Sequence, residues 1–539
     1  MAGLGEAFER IGTFLEHRLP LTHAAGAALA VTDRDEVLGV VVRGFADAAS
    51  GAPVRPETRF EIGSISKSFA AVVAIQEATA LRLDLHAPIT DYLRGLELPQ
   101  PFGPISTHHL MTHTSGLAVG TEDAPTGVGA VWRLRGVPPT FAPGERFWYS
   151  NDGWKLVGML LERLTGTPFH ELVRERVLAP LGMTSSEAAI TNGTRSDLAT
   201  GYETMYDDRP PRTDHPLVPA RWLVSNTADG SIVSSAIDVS AYAQMLIRRG
   251  AGPATRVLSE EGFTLLTTPV AHDVGEPGFA YAYGLWVGDV GGRREIWHTG
   301  GMVGYTAMLA VRPDDGLGCA MLLNGQGERR ATVRFALDCV VAALRDEALP
   351  EVEPPPSATA VPNAADYVGA YRGTGREIEI ERAGDGIRLR DGALGVVLER
   401  LDGDRFLVPH PARDRFLLSF GRDDSGTVVE AFHGNDWYPA VAVMGPEPAP
   451  HPAEWAAFGG VYRANNPWAP VLRVMLRKGA LVASWPGEST EEPLIPIGNG
   501  SFAVGEPWKP QRLRFEGVVH GRATVAEFNG GRWYRSFEE

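Results

Sequence analysis

The chain has 539 residues, of which 44% are hydrophobic and 22% are charged, enough for the cores of roughly two to four domains. Its formal net charge of -16 argues against nucleic acid or an anionic membrane surface as a main partner, and it favours a neutral or cationic small substrate. No stretch approaches the roughly 18 consecutive apolar residues that cross a bilayer, so the composition is that of a soluble globular protein.

The first predicted element is an amphipathic helix within residues 1–20. Leu4, Phe8, Ile11 and Leu15 recur on one face, and glutamates stand among them. The segment lacks the basic start, apolar stretch and small-residue cleavage site of a signal peptide. We therefore expect a cytoplasmic protein.

Strand and helix patterns are mixed through residues 1–348, which we predict to form one domain. Strand-like runs lie near its start (GAALAVT, VLGVVVRGF) and near its end (REIWHTG, YTAMLAVRP, LGCAMLLN), with helical spacing between them. The early and late strands should combine into one antiparallel sheet, with a helix over residues 64–80 packed on it. The helical middle should form a second lobe, and a cleft between the lobes is a natural place for chemistry. Cys319 and Cys339 lie in apolar contexts and should be buried residues without a chemical role.

Two proline-rich breaks divide the rest of the chain. Residues 349–362 (LPEVEPPPSATAVP) have the composition of an extended linker, and residues 446–453 form a shorter one. The breaks leave two segments, 363–445 and 454–539, which we predict to be separate domains.

These two segments resemble each other. YVGAYR (367–372) matches FGGVYR (458–463), and FHGNDWY (432–438) matches FNGGRWY (528–534). Short alternating stretches punctuated by Gly, Asp and Asn lie between these marks, a pattern typical of antiparallel strands with tight turns. We predict two related small antiparallel β-barrels.

The stretch EIGSISKSF places Lys67 one helical turn after Ser64, so both side chains should share a helix face. Only four of the 50 basic residues are lysines, so a position that needed only positive charge would more commonly hold arginine. Lysine differs because burial can remove its proton. A base near pH 7 needs a pKa lowered by about three units, or roughly 4 kcal/mol, which burial and a second positive group can supply. Taken alone, the pair is equally consistent with a solvated helix face.

Tyr149 and Asn151 in FWYSNDGW form a second motif, Tyr-x-Asn. A tyrosine hydroxyl near Ser64 and Lys67 can relay a proton to a leaving group. The amide of Asn151 can bind a substrate carbonyl and hold Lys67 in place. Read alone, the stretch is also typical of a turn beside an aromatic core contact.

A third motif, WHTGGMVGY, contains His298, Thr299, Gly300 and Gly301. Glycines at a strand end let a substrate backbone approach closely. The N–H of Gly301 can then complete an oxyanion hole with the N–H of Ser64. An ordinary hairpin is the alternative.

In this order and at these spacings, the three motifs resemble those of the penicillin-recognising serine hydrolases over roughly the first 345 residues. MTHTSGL (111–117), FAPGERFWYSN and LAPLGMTSS (178–186) agree with the resemblance. It implies an α/β (α+β) beta-lactamase-like/DD-peptidase-like domain, with an antiparallel sheet flanked by helices and a helical lobe. Two small lipocalin-like β-barrel domains should follow it.

The same resemblance implies roles for the motif residues. Ser64 would be the acylated nucleophile, Lys67 the general base and Tyr149 the proton-transfer partner. Asn151 would bind substrate. His298 and Thr299 would line the substrate side of the cleft, next to Gly300 and the oxyanion position Gly301.

One departure from the family pattern narrows the substrate. Most beta-lactamases and DD-peptidases of this type have lysine where this chain has His298, and that cation holds a substrate carboxylate. Histidine is mostly neutral at pH 7, so a charge-assisted bond of roughly 1.5–3 kcal/mol is lost or weakened. We therefore expect β-lactams and free D-Ala-D-Ala ends to be poor substrates.

A His-x-Gly motif followed by two small barrels looks like the D-aminopeptidases, which remove an N-terminal D-residue from peptides and amides. In those enzymes a loop of the last barrel reaches the cleft and restricts it to small substrates with a free amine. By this resemblance, the loop VGEPWKPQ (504–511) is expected to supply Glu506.

The favoured function is that of a serine hydrolase, a D-aminopeptidase or D-stereospecific peptidase or amidase acting on small peptides. An esterase, a peptide-cyclising acyl transferase and a non-turnover peptide-binding protein stay open as alternatives. No cofactor is expected. His108, His109 and His113 have no acidic partner nearby in the sequence, which disfavours a metal site. The oligomeric state stays open, a homodimer included.

Overall fold

The structure is a computed structural model, and it describes residues 2–122, 124, 126–272, 274–443 and 448–536. The chain divides into two compact units. Unit 1 contains the residues up to Glu203 together with Pro216–Pro354, and unit 2 contains Thr204–His215 and the residues from Pro355 onward. The finer predicted boundaries stay a prediction. Residues 444–447 and 537–539, which contain the predicted start of the second linker and the predicted end of the last barrel, lie outside the described residues.

Among the described residues, all α-helices lie in unit 1. In chain order they are α1 (Ala2–Arg18), α2 (Ser66–Thr79), α3 (Ile89–Tyr92), α4 (Thr107–Met111), α5 (Gly127–Arg133), α6 (Asn151–Thr165), α7 (Phe169–Val173), α8 (Ala236–Ile247), α9 (Glu260–Thr267) and α10 (Arg330–Leu344). The predicted amphipathic helix is confirmed as α1, because Ile11 and Leu15 are buried in the core and Leu4 and Phe8 pack beside them. Within the described ranges, no helix is both long and apolar enough to cross a membrane.

A large antiparallel sheet forms the centre of unit 1. The strands of this unit are β1 (His23–Thr32), β2 (Val37–Asp47), β3 (Ala52–Pro53), β4 (Arg59–Glu61), β5 (Tyr202–Thr204), β6 (Leu217–Pro219), β7 (Val233–Ser235), β8 (Phe279–Tyr281), β9 (Trp286–Val290), β10 (Arg293–Met302), β11 (Tyr305–Arg312) and β12 (Leu317–Gln326). Eight of them pair in the order β3-β2-β1-β12-β11-β10-β9-β8. Because β1 pairs antiparallel with β12, the predicted union of early and late strands is confirmed.

Helices cover both faces of this sheet. Leu29 and Val31 of β1 belong to the core that contains residues of α1 and α10. The alternate face carries small residues, which let α8 approach closely: a Cβ added to Gly318 would lie 2.8 Å from the Cβ of Ala243. The outcome is a helix–sheet–helix arrangement, and the remaining helices of the unit are α2 to α7 and α9.

The nucleophile motif occupies a junction between strand and helix. The strand β4 pairs with β7 and leads into a 3-10 turn, Gly63–Ile65, from which α2 continues. The predicted helix therefore begins two residues later than expected. Gly63 has φ +52, and a Cβ there would lie 2.5 Å from the carbonyl oxygen of Gly301, so only glycine fits this tight turn.

Unit 2 consists of short antiparallel strands. They are β13 (Gly369–Gly373), β14 (Arg376–Ala383), β15 (Gly386–Asp391), β16 (Leu394–Val397), β17 (Glu399–Asp402), β18 (Arg405–Leu407), β19 (Leu418–Arg422), β20 (Val428–His433), β21 (Asp436–Pro439), β22 (Gly460–Arg463), β23 (Val471–Arg477), β24 (Ala480–Trp485), β25 (Thr490–Gly498), β26 (Ser501–Val504), β27 (Arg512–Val519), β28 (Arg522–Phe528) and β29 (Gly531–Arg535). The last eight close into a barrel, as predicted. The first nine form a four-stranded and a five-stranded sheet around one core, joined by a bridge between Tyr371 and Ala440.

The repeated sequence motif has the same local structure in both modules. Tyr371 and Tyr462 are buried, and each hydroxyl donates a hydrogen bond of 2.7 Å to the main-chain oxygen four residues earlier, that of Tyr367 and Phe458 respectively. The glycines two positions before these tyrosines both have φ +150. This shared detail supports the predicted relationship between the two modules.

A short stretch of chain between β5 and β6 belongs to unit 2. Within Thr204–His215, Arg209 pairs with Asp414 at 2.9 Å, and Asp207 pairs with Arg463 at 3.0 Å. These partners come from the two different β modules. This arrangement could not be predicted from the sequence, because a charged, proline-containing segment is typical of a surface loop.

Candidate active site

Ser64 and Lys67 lie together at the start of α2. The Nζ atom of Lys67 lies 2.9 Å from the Oγ atom of Ser64 and donates a hydrogen bond of 2.6 Å to the main-chain oxygen of Asp229. The side chain of Lys67 is 0% exposed, whereas Ser64 is half-buried. An amine shielded from water thus sits beside an alcohol that a ligand can reach.

Burial changes the acidity of this amine. It lowers the pKa of Lys67 from 10.5 to about 8, a shift that the charges of Asp229 and Glu122 oppose and the charge of Lys155 assists. At pH 7 about a tenth of the molecules then carry a neutral Lys67. The amine is available as a base close to neutral pH.

Tyr149 completes a polar group around Ser64. Its hydroxyl is hydrogen-bonded to Ser64, and its ring centroid lies 5.0 Å from the Nζ atom of Lys67. Burial raises the pKa of Tyr149 above its ordinary value, so the hydroxyl keeps its proton at neutral pH. It can therefore donate a hydrogen bond or pass a proton on.

His113 supports the ring of Tyr149. The two rings stack with centroids 4.0 Å apart, and Nδ1 of His113 accepts a hydrogen bond of 2.9 Å from the main-chain N–H of Ser150. Burial, together with the charges of Lys67 and His298, holds the pKa of His113 well below its usual range. Sequence reasoning weighed His113 only as a metal ligand and missed this position beneath the tyrosine.

The other two histidines of that segment lie elsewhere. Nδ1 of His108 is 2.7 Å from the hydroxyl of Tyr283, and His109 forms a capping box with Ser106 at the start of α4. Within the described part of the chain, no three His, Cys, Asp or Glu side chains are grouped to hold a metal ion.

Asn151 begins α6 next to this group. Its main-chain N–H donates to the oxygen of Val119 at 3.0 Å, and its Oδ1 atom is buried without a hydrogen-bond partner among the described residues. The expectation that Asn151 holds Lys67 is wrong, since the main-chain oxygen of Asp229 occupies that role. A carbonyl oxygen has no signature in the amino-acid sequence, which is why Asp229 was missed.

The third motif lies on β10. His298 is 2% exposed; its Nδ1 donates to the oxygen of Thr299 at 2.5 Å, and its Nε2 accepts from the hydroxyl of Tyr281 at 2.9 Å. Burial and the charge of Lys67 lower the pKa of His298 to about 3, so the ring is neutral. The expectation that His298 lines the accessible cleft needs correction, because both ring nitrogens are satisfied inside the protein. Thr299 is the partly exposed member of the pair.

Two glycines let β10 pass directly beside the nucleophile turn. A Cβ on Gly300 would lie 1.8 Å from the carbonyl oxygen of Ile62, and Gly63 is similarly close to the backbone of Gly301. Any side chain at these positions would separate strand and turn. The close approach brings the backbone of Gly301 next to that of Gly63, the residue before Ser64. An oxyanion hole formed by the N–H groups of Gly301 and Ser64 stays a prediction.

A buried ion cluster lies behind the amine. The Nζ atom of Lys155, a residue 5% exposed, lies 2.7 Å from Glu122, 3.0 Å from Asp152 and 3.9 Å from the carboxylate of Asp229. Burial opposes the charge of Lys155, but Asp229, Glu122 and Asp152 together raise its pKa above the ordinary value, so it stays an ammonium. The sequence did offer a signal, since the rarity of lysine that singled out Lys67 applied equally to Lys155.

Glu506 is an exposed residue in unit 2, on a turn that follows β26. Its main-chain oxygen accepts a hydrogen bond of 3.0 Å from the N–H of Lys509. Its predicted part in substrate binding stays a prediction.

Comparison with known proteins gives consistent matches. The beta-lactamase family profile matches residues 14–342. A D-aminopeptidase from Brucella ovis is 27% identical over 506 residues, which cover 81% of this chain and 92% of that protein. An octameric penicillin-binding protein homologue from Pyrococcus abyssi has a similar fold, with a TM-score of 0.58 and 24% identity over 80% of this chain and 99% of that one. A D-stereospecific amidohydrolase from Streptomyces sp. has a TM-score of 0.52 and 22% identity over 63% of this chain and 99% of that one.

Proposed function

Because the chain belongs to the beta-lactamase family, we propose that it is a serine hydrolase that forms an acyl-enzyme on Ser64. We propose further that it acts as a D-aminopeptidase, or as a D-stereospecific peptidase or amidase, on small peptides. The observation that carries the proposal is the 2.9 Å separation between the buried amine of Lys67 and the reachable hydroxyl of Ser64.

The first chemical step would use Lys67 as the base. The neutral amine takes the hydroxyl proton while Oγ of Ser64 forms a bond to the substrate carbonyl carbon. The carbonyl π electrons move to oxygen, where the N–H groups of Ser64 and Gly301 would stabilise the negative charge. Collapse of this intermediate expels the amine, to which Tyr149 would relay the proton. Water then attacks the ester to release the acyl group and restore Ser64.

The character of the site favours substrates without a free carboxylate near β10. A neutral His298, with both nitrogens occupied, supplies no cation there to bind a carboxylate. The net charge of -16 and the similarity to a D-aminopeptidase support a substrate that carries a free amine. Asn151, at the start of α6, would bind the substrate carbonyl through its side-chain amide.

Two measurements test this proposal. Mass spectrometry after treatment with a fluorophosphonate should find the adduct on Ser64 and none in Ser64→Ala. Turnover of D-alanine p-nitroanilide should exceed that of the L-enantiomer. A preference of many orders of magnitude for p-nitrophenyl esters would instead indicate an esterase, and labelling without turnover of any amide or ester would indicate a binding protein.

The role of Lys67 has its own test. Lys67→Arg should be as inactive as Lys67→Ala, because a guanidinium keeps its charge but cannot act as a base near neutral pH. Both variants should lose about three orders of magnitude in kcat/KM, as expected when a general base is removed. Substantial activity in the arginine variant would remove Lys67 from the role of base.

A cytoplasmic location and a homodimer stay proposals as well. Sedimentation of the purified protein tests whether it is a homodimer.

A further inference from the structure

Lys155 is connected to the proposed base through a single residue. The main-chain oxygen of Asp229 accepts the hydrogen bond from Lys67, and the carboxylate of the same residue faces Lys155 at 3.9 Å. Asp152, which binds the same ammonium at 3.0 Å, directly follows Asn151 at the start of α6. Lys155 is itself on α6, so its approach to Asp229 joins the segment that holds Lys67 to the helix that carries Asn151.

The cluster also matters through its charge. Three carboxylates surround one ammonium, and Oδ1 of Asp229 is buried without a hydrogen-bond partner among the described residues. Negative charge near a buried amine favours its protonated form, and positive charge favours its neutral form. Without Lys155, the carboxylate of Asp229 would act on Lys67 without a compensating ammonium, and Lys67 would hold its proton more tightly.

We propose that Lys155 is a positioning residue for the reaction: its ammonium fixes Asp229, whose main-chain oxygen holds Lys67, and it balances the carboxylates that would otherwise surround Lys67. This inference rests on the proposed function, because it concerns the base of that mechanism. Lys155 itself touches neither Ser64 nor a substrate in this scheme, and it acts through Lys67 alone.

The other groups that face Lys67 cannot replace the positive charge by which Lys155 offsets the nearby carboxylates. Two are histidines that burial keeps neutral, and one is a tyrosine that burial keeps protonated. Arg133 faces Asp152 and lies one step further from the amine. The titratable and charged groups around Lys67 and its cluster are His113, His298, Tyr149, Asp229, Glu122, Asp152, Lys155 and Arg133.

The test is the pH dependence of Ser64 labelling by a fluorophosphonate, in the full-length protein. In this reaction Oγ bonds to phosphorus, fluoride leaves and Lys67 takes the proton, so the acidic limb of the rate reports the base. Lys155→Met removes a positive charge and should move the limb to higher pH by about one unit, with labelling at pH 7 about tenfold slower. Asp229→Asn keeps the main-chain oxygen, removes a negative charge and should move the limb to lower pH.

The double variant Lys155→Met/Asp229→Asn should return the limb close to its wild-type position. A purely structural role for Lys155 would lower the labelling rate without moving the limb, so unmoved limbs in the single variants would overturn the inference. Shifts of both single variants in the same direction would overturn it too. If Lys155→Met does not fold, Asp229→Asn decides alone. Wild-type protein that is unlabelled at every pH would contradict the proposed function itself, and this inference with it.

Discussion

Replacing Lys67 with methionine should stabilise unit 1 near pH 7 while it abolishes the reaction. Folding buries this amine completely and lowers its pKa from 10.5 to about 8. At about 1.4 kcal/mol per pKa unit, folding with a charged Lys67 costs about 3 kcal/mol. Methionine fills a similar volume without charge but loses the hydrogen bonds to Ser64 and Asp229, at about 1 kcal/mol each. The expected net gain at pH 7 is about 1 kcal/mol.

The sign of this gain should reverse with pH. Because the pKa of Lys67 is lower in the folded protein than in the unfolded chain, the unfolded chain binds more protons between pH 8 and pH 10.5. Wild-type stability therefore gains from Lys67 as pH rises through that window, while the methionine variant has no such contribution. Near the top of the window the variant should be the less stable protein, by about 2 kcal/mol for the lost hydrogen bonds.

Calorimetric unfolding of unit 1 at both ends of the window measures the effect. Lys155→Met is the matched control, because it removes the other buried lysine but leaves three carboxylates without their ammonium. It should be destabilised by about 3–5 kcal/mol. A Lys67→Met protein that is destabilised equally at pH 7 and at high pH would refute the claim that burial of this amine lowers its pKa.

Two further predictions concern β10. Gly300→Ala should destabilise the protein by about 3 kcal/mol in thermal unfolding and abolish Ser64 labelling, because its Cβ would collide with the oxygen of Ile62. Gly5→Ala, in open space on α1, is the control and should be neutral or slightly stabilising in the same assay. Tyr281→Phe should lower stability by about 1–3 kcal/mol in urea unfolding, because it leaves the buried Nε2 of His298 without its donor; an unchanged unfolding midpoint would contradict that account.

The parts of the site that follow from local geometry could be predicted from the sequence. The three-residue spacing of Ser64 and Lys67 places both on a single helical turn. The alternation of apolar and polar residues predicted the strands of the small β modules. The sheet arrangement of the first β module, β13 to β21, was harder to predict. Alternation predicts strands but does not say whether nine of them close into one barrel or form two sheets.

What the sequence did not reveal depends on long-range contacts or on the backbone. The acceptor for Lys67 is a main-chain oxygen, which every residue type possesses, so the identity of Asp229 carries no signal for it. Glu122 and Lys155 are 33 positions apart, with no periodicity that relates them. Arg209 meets Asp414 across 205 positions, and only the fold brings such a pair together.

Lys155 also limits the argument from lysine rarity. In a chain whose other basic residues are almost all arginine, lysine at position 67 is explained by the need for a group that can lose its proton. The same explanation fails for Lys155, which stays an ammonium. The distances account for it instead: three carboxylate groups lie within 3.9 Å of one atom, Nζ. A compact ammonium concentrates its charge at that point, whereas a guanidinium spreads it over a planar fork. The two buried lysines of unit 1 are thus selected for opposite properties, one for losing its charge and the other for concentrating it at a point.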